Sequence, residues 1–129
     1  MPRAEKVKTR GPIPGFTILR RRWLRGGRGG DSCLYSESSR RMCCLGIYLR
    51  ACGFSVADVK ERSMPGDVEA TGKRVPSWMV TRRANNFIRT SPSNMKLAVM
   101  NDNSELSEKK RERKIQELFA SQGIKVTFK

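Results

Sequence analysis

The sequence predicts an α+β fold in one small domain, and three observations carry that reading. Met42, Leu45, Leu49 and Cys52 recur at i, i+3, i+7 and i+10, one face of a helix, within the longest apolar run of the chain. Ile115, Leu118, Phe119 and Gln122 define a second helical stripe, with Lys109, Lys110, Arg113 and Glu117 outside it. Directly afterwards, Ile124-Lys125-Val126-Thr127-Phe128 alternates with period two, the mark of a half-buried strand. A helix folding straight back onto a terminal strand implies few layers. The expected domain has a core helix over about 41–52 and a C-terminal helix over about 108–121. The latter packs on a small antiparallel sheet that includes the C-terminal strand. A chain of 129 residues, 37% hydrophobic and 30% charged, suits a single globular core.

Residues 1–15 read as an extended basic arm, because Pro12 and Pro14 bar a helix and Gly15 adds freedom; residues 16–129 make up the domain. Phe16-Thr17-Ile18-Leu19 is aromatic and β-branched and predicts a strand, running on into Arg20-Arg21-Arg22-Trp23-Leu24. Residues 25–30 are two Arg-Gly-Gly units with two readings. They are a flexible basic segment following a nucleic-acid backbone, with Trp23 nearby to stack on a base, or a glycine-rich hairpin loop charged for solubility. Cys33-Leu34-Tyr35 predicts a second short strand, and Ser38 or Ser39 a cap for the core helix. Gly53 stands where a left-handed residue ends helices.

Ser55 and Asp58 have the spacing of a capping box, and Phe54 before them that of a hydrophobic staple, for a helix over 56–62. Two helices and a tight turn raise the idea of a helix–turn–helix reader of DNA. The second helix offers only Lys60, Glu61 and Arg62 over about two turns, so a packing corner fits better. Residues 63–76 read as a loop rich in Pro and Gly. Ser77 then caps a helix through Phe87, on which Trp78, Arg82 and Asn86 align, with Arg89 close by. This is either an aromatic and arginine stripe for nucleic acid or a core tryptophan beside solvated arginines. Residues 90–94 read as a loop, and Leu97–Met100 as a short apolar run of open type. Asn101-Asp102-Asn103 reads as a structural turn, and Asp102 has no second carboxylate at hand for metal or acid–base work. Ser107 opens the C-terminal helix, helped by Glu105 and Glu108, and Gly123 closes it.

Met42-Cys43-Cys44-Leu45-Gly46, then Gly53, Asn101-Asp102, Glu112, Leu118-Phe119-Ala120, Gly123-Ile124 and the closing strand resemble a family of small proteins encoded by tailed phages and prophages. The resemblance spans roughly residues 40–62 and 97–129, about half the chain. It implies a phage origin and no particular activity; with no apolar leader or membrane-length run, a host-cytoplasm location is expected. The basic front end and the Arg-rich middle depart from the family pattern.

The formal net charge is +15, from 27 basic and 12 acidic residues. Residues 1–41 hold eleven basic and three acidic side chains, against sixteen and nine over residues 42–129. Such a surface gains free energy by releasing counterions from a polyanion. The candidate nucleic-acid-binding residues are Arg20, Arg21, Arg22, Trp23, Arg25, Arg28, Arg82 and Arg83. The expected role is a small basic accessory protein that binds nucleic acid by charge. An acidic host protein, bound and inhibited through the same surface, is the alternative; a virion or assembly component is a third.

An enzyme is not expected. No histidine is present to activate a Ser or Cys nucleophile, and no paired carboxylates or phosphate loop replace it. Cys43 or Cys44 beside Arg41 is the one conceivable reactive thiolate. Cys33, Cys43, Cys44 and Cys52 lack C-x-x-C spacing, so they read as small buried hydrophobes, and neither a metal nor a cofactor is expected. No apolar run approaches a membrane span and no apolar leader follows the first basic residues, so no membrane partner is expected. All of this assumes that the cations gather on one patch.

Overall fold

The computed structural model describes residues 13–25, 34–69, 72–82 and 88–129. It is an α+β domain with two small sheets. Strand β1, Gly15–Ile18, pairs with β4, Lys125–Phe128, in the register Gly15↔Lys125 to Ile18↔Phe128. Residues 1–12 of the expected arm lie outside the described residues, but Ile13 already packs on the core and the Pro14 carbonyl accepts from Lys125 N at 2.8 Å. The pairing of β4 is parallel, not antiparallel as expected. The two strands stand at opposite ends of the folded chain. No hairpin can join them, and the helices in between supply the crossover that a parallel pair needs.

Helix α5, Glu108–Ala120, lies against β4, with Ile115 and Phe119 fully buried and Gln116 Nε2 donating to the Val126 carbonyl at 3.0 Å. Ser107 caps it by accepting from Lys110 N. In β4 the alternation holds: Ile124 and Val126 are buried, Phe128 is half-buried, and Lys125 and Thr127 are exposed.

The core helix α1 is Cys44–Ala51, shorter at its start than expected. Arg41 and Met42 are extended because their backbone groups are already spent. Ser36 N donates to the Arg41 carbonyl, Met42 N to the Arg22 carbonyl, and Leu24 N to the Met42 carbonyl. Ser38 and Ser39 therefore sit in a turn rather than capping the helix. Gly46 lies so close to the neighbouring segment that a Cβ there would stand 1.8 Å from the Leu34 carbonyl oxygen. Leu34 itself is buried, and Tyr35 makes only an isolated bridge to Lys60 in place of the expected strand.

Helix α2, Val56–Val59, carries the predicted capping box: Ser55 Oγ accepts from Asp58 N, and Asp58 Oδ2 from Ser55 N. It is a single turn, and Lys60–Arg62 lie beyond it, so no recognition helix forms here. The expected loop 63–76 contains a short helix α3, Pro65–Glu69. Proline suits the first helical turn, and Asp67 Oδ2 accepts from Met64 N, so letters that read as a loop also read as a helix start.

Over residues 77–82 the expected helix does not form, and its remainder, 83–87, lies outside the described residues. Ser77–Met79 is one 3-10 turn, followed by β2, Val80–Arg82, paired antiparallel with β3, Ile88–Thr90. Val80, Thr81, Ile88 and Thr90 are β-branched, which favours the pleated surface over the helix. Helix α4, Pro92–Asn101, takes in residues 92–94 of the expected 90–94 loop and the apolar run after it, while Thr90 belongs to β3. Ser91 is its cap and Pro92 takes the first helical position.

The centre of the core is aromatic. Tyr48 of α1 packs against Phe16 at 5.3 Å, Trp78 at 5.5 Å and Phe119 at 5.5 Å between ring centroids. Each such pair adds about 0.5–1.5 kcal/mol beyond area burial. Trp78 is thus half-buried against the core, its Nε1 donating to the Tyr48 hydroxyl at 3.3 Å.

Candidate polyanion-binding groove

Arg20–Arg22 form one 3-10 turn between two fully buried anchors, Ile18 and Trp23. A turn of about three residues throws successive side chains in different directions. With both ends pinned to the core, the three arginines are left at the surface, and all three are exposed. The Trp23 anchor is deep: its Nε1 donates to Asn101 Oδ1 at 2.7 Å and its ring centroid lies 5.1 Å from that of Phe128. Trp23 is 0% exposed, so it offers no face for a base to stack on, and its place in the expected interface is withdrawn.

The arginines separate into two groups. Arg20 makes a two-pronged ion pair with Glu112, Nε to Oε2 at 2.7 Å and Nη2 to Oε1 at 2.8 Å. This hydrogen-bonded pair raises its pKa. Arg25 pairs with Glu108, one turn earlier on α5, and its guanidinium carbon lies 4.5 Å from the centre of the Trp23 ring. The two carboxylates sit at i and i+4 on one helix face, and they hold Arg20 and Arg25 against the domain.

Arg21 and Arg22 turn elsewhere. With Tyr35, Arg40, Val56 and Lys60 they line an open groove of about 680 Å³. Glu37 and Ser39 complete its wall. Among the described residues neither Arg21, Arg22 nor Arg40 makes an ion pair with a carboxylate. Lys60 reaches Glu37 at 3.4 Å, an exposed pair of the kind that contributes little. Glu37 is tied back through its own N–H to Glu61 Oε2. Four cations face one carboxylate in a single concavity, a shape that concentrates positive potential and attracts anions.

Arg28 and Arg83 lie outside the described residues. Arg82 ends β2, its backbone opposite Ile88. Of the expected set, the structure brings Arg21 and Arg22 together in the groove, while Arg20 and Arg25 are neutralised. Reading the sequence missed Tyr35, Arg40 and Lys60. Arg40-Arg41 was a visible basic pair, but only the left-handed backbone at Arg40, φ 59°, and the Tyr35–Lys60 bridge bring these residues beside Arg21 and Arg22.

The remaining candidate chemistry is structural. Asn101 is buried. Its Oδ1 accepts from Trp23 Nε1 and from Cys44 N at 3.0 Å, and its Nδ2 donates to the Leu24 carbonyl and to Asp102 Oδ1. Cys43, Cys44 and Cys52 are buried thiols. Burial pushes Cys44 well up, with the charges of Cys43 and Asp102 adding to it, and burial also raises Cys52. Cys44 is therefore a thiol at neutral pH, without the thiolate character a nucleophile needs. Cys33 lies outside the described residues. Among the described residues no three His, Cys, Asp or Glu side chains gather as metal ligands, and no helix is long and apolar enough to cross a membrane.

Fold and groove together define a small basic α+β domain with a cation-lined concavity. Comparison with protein-family models, curated proteins and solved structures gives no match to this chain.

Proposed function

We propose that this protein binds a polyanion, nucleic acid foremost, through the groove of Arg21, Arg22, Arg40 and Lys60. The observation that carries the reading is the division of the arginines. Two are spent on α5 carboxylates, and Arg21, Arg22 and Arg40 line one groove without such a pair. Arginine presents a rigid fork of donors to phosphate oxygens, and Tyr35 adds an aromatic group to the groove wall. The role is one of binding rather than catalysis, which the missing histidine and the protonated Cys44 support. The resemblance of the Cys-Cys-Leu-Gly helix and the Asn-Asp pair supports a phage-encoded accessory protein acting in the host cytoplasm.

Fluorescence anisotropy with labelled DNA and RNA across a salt series tests this. Neutralising three or four phosphates gives a log K against log salt slope of about −2 to −4. Replacing Arg21, Arg22 and Arg40 together by Ala flattens that slope by about three charges' worth. Salt-insensitive binding, or a triple variant that binds like the parent, defeats the reading. An acidic host protein docking on the same groove is the second reading, favoured by the Val56 side of the wall. Retention of that protein from nuclease-treated lysate, lost in the triple variant, distinguishes it.

A further inference from the structure

We propose that the cleft between α4 and α5 is a docking site for an amphipathic helix of a partner protein, one that carries acidic residues beside its apolar stripe. The two helices run antiparallel: Gln122 Nε2 donates to Ser93 Oγ at one end, and Arg111 Nη1 to the Asn101 carbonyl at the other. Between them lies a groove of about 590 Å³, with Met95, Val99, Met100 and Leu118 as its apolar surface and Lys96 and Lys114 among its polar lining.

Helix α4 has two apolar faces. One is used, with Leu97 fully buried beside Asn94 and Asn101. The other is not: Val99 is 62% exposed and Met95 47%, the large hydrophobic side chains left most open among the described residues. A surface helix of a monomer ordinarily carries polar residues there, and a contiguous apolar patch with a polar border marks an interaction site.

Charge selects the occupant. A second copy of the chain would bring two lysines and one carboxylate from each side into the contact, with a net charge of +15 on each chain. Phosphates would gain nothing from the methionine and valine floor. An acidic helix satisfies both halves, with apolar anchors in the cleft and carboxylates beside the lysines. The α5 wall from Lys114 to Ser121 spans about 10 Å, two turns, which suits anchors at i, i+3 or i+4, and i+7. Methionine, unbranched and polarizable, adapts to such a guest. Glu117 is the one carboxylate in the lining.

The test uses protein labelled at the methionine methyls and three synthetic helical peptides of about 15 residues. One carries Leu at i, i+3 and i+7 with Glu elsewhere, one is its scramble, and one has Lys for every Glu. The first is expected to shift the Met95 and Met100 methyls saturably and to bind at least about tenfold tighter than the other two. Val99→Glu, and separately Lys96→Glu with Lys114→Glu, each weaken it by about tenfold, while Arg21→Ala with Arg22→Ala does not. Val99, Lys96 and Lys114 lie on the surface, and the unperturbed methyls of buried Met42 and Met79 report that each variant is folded. Equal binding of the scramble or the lysine peptide overturns the proposal. So do shifts confined to other methyls, or Met95 and Met100 signals that move with protein concentration alone.

Discussion

Trp23 and Asn101, separated by most of the chain, meet in a buried hydrogen bond of 2.7 Å from the indole Nε1 to the amide Oδ1. The same oxygen accepts from Cys44 N, the first amide of α1, while the amide nitrogen donates to the Leu24 carbonyl. One side chain thus joins the turn that displays the arginines, the start of the core helix and the end of α4. Cys43, in the cap position of α1, offers no side-chain cap of its own, so the cap comes from α4 instead.

Asn101→Ala leaves the buried Trp23 Nε1 and Cys44 N, each costing about 1–3 kcal/mol, and the part-buried Leu24 carbonyl without this partner. A loss of several kcal/mol in the denaturant midpoint free energy is expected. Asn101→Asp keeps the acceptor but sets a carboxylate against the Leu24 carbonyl and Asp102. Its defect should be largest at neutral pH and shrink on acidification, measured by the same unfolding curves.

Gly46→Ala should destabilise, although Ala is the better helix former by about 1 kcal/mol. The new methyl would lie 1.8 Å from a backbone oxygen, which must move. A net loss of about 1–3 kcal/mol, the usual cost of overpacking, is expected by thermal or urea unfolding. A more stable variant would show that α1 does not approach Leu34 this closely.

Glu108→Gln with Glu112→Gln should strengthen polyanion binding. It frees Arg20 and Arg25 from their ion pairs, and the log K against log salt slope should steepen by up to about two charges. Some stability should be lost, mainly through the two-pronged Arg20–Glu112 pair, because Glu112 is only 13% exposed, whereas Glu108 is 49% exposed. Unchanged slopes would place the bound anion out of reach of Arg20 and Arg25, on the groove side of the turn alone.

Acid should weaken the fold partly through Asp58. Its burial alone would raise the carboxyl, but the Lys73 ammonium at 2.7 Å and the hydrogen bonds with Ser55 hold it below its ordinary value. A carboxylate with a depressed folded-state pKa contributes stability above its unfolded value, about 3.9, and loses it as pH falls through the lower folded value. The stability gap between the parent and Asp58→Asn should therefore be full at neutral pH and close under strong acid, followed by urea midpoints at each pH.

Periodicity made α1, α5 and β4 legible. Ser107, Ser55 with Asp58, and the alternation of Ile124, Val126 and Phe128 all behave as local rules require. Local rules failed where one set of letters serves two structures. Ser91-Pro92 reads as a loop and acts as a helix start, and Trp78 and Arg82 share a helical spacing that the β-branched Val80 and Thr81 outweigh. At the site, the charge was legible and the pairing was not. Arg20 and Arg21 are adjacent and chemically identical, yet one is held by Glu112 and the other opens onto the groove.

By itself the sequence determined the α+β class, the segments that form α1, α5 and β4, and the excess of positive charge, because these depend on composition and on contacts a few residues apart. Only the tertiary structure decided that β4 runs parallel to β1, that Trp23 is an anchor instead of a stacking platform, and which arginines stay open to an anion. Those outcomes depend on residues distant in sequence meeting in space, and no local pattern encodes which carboxylate a given guanidinium will find.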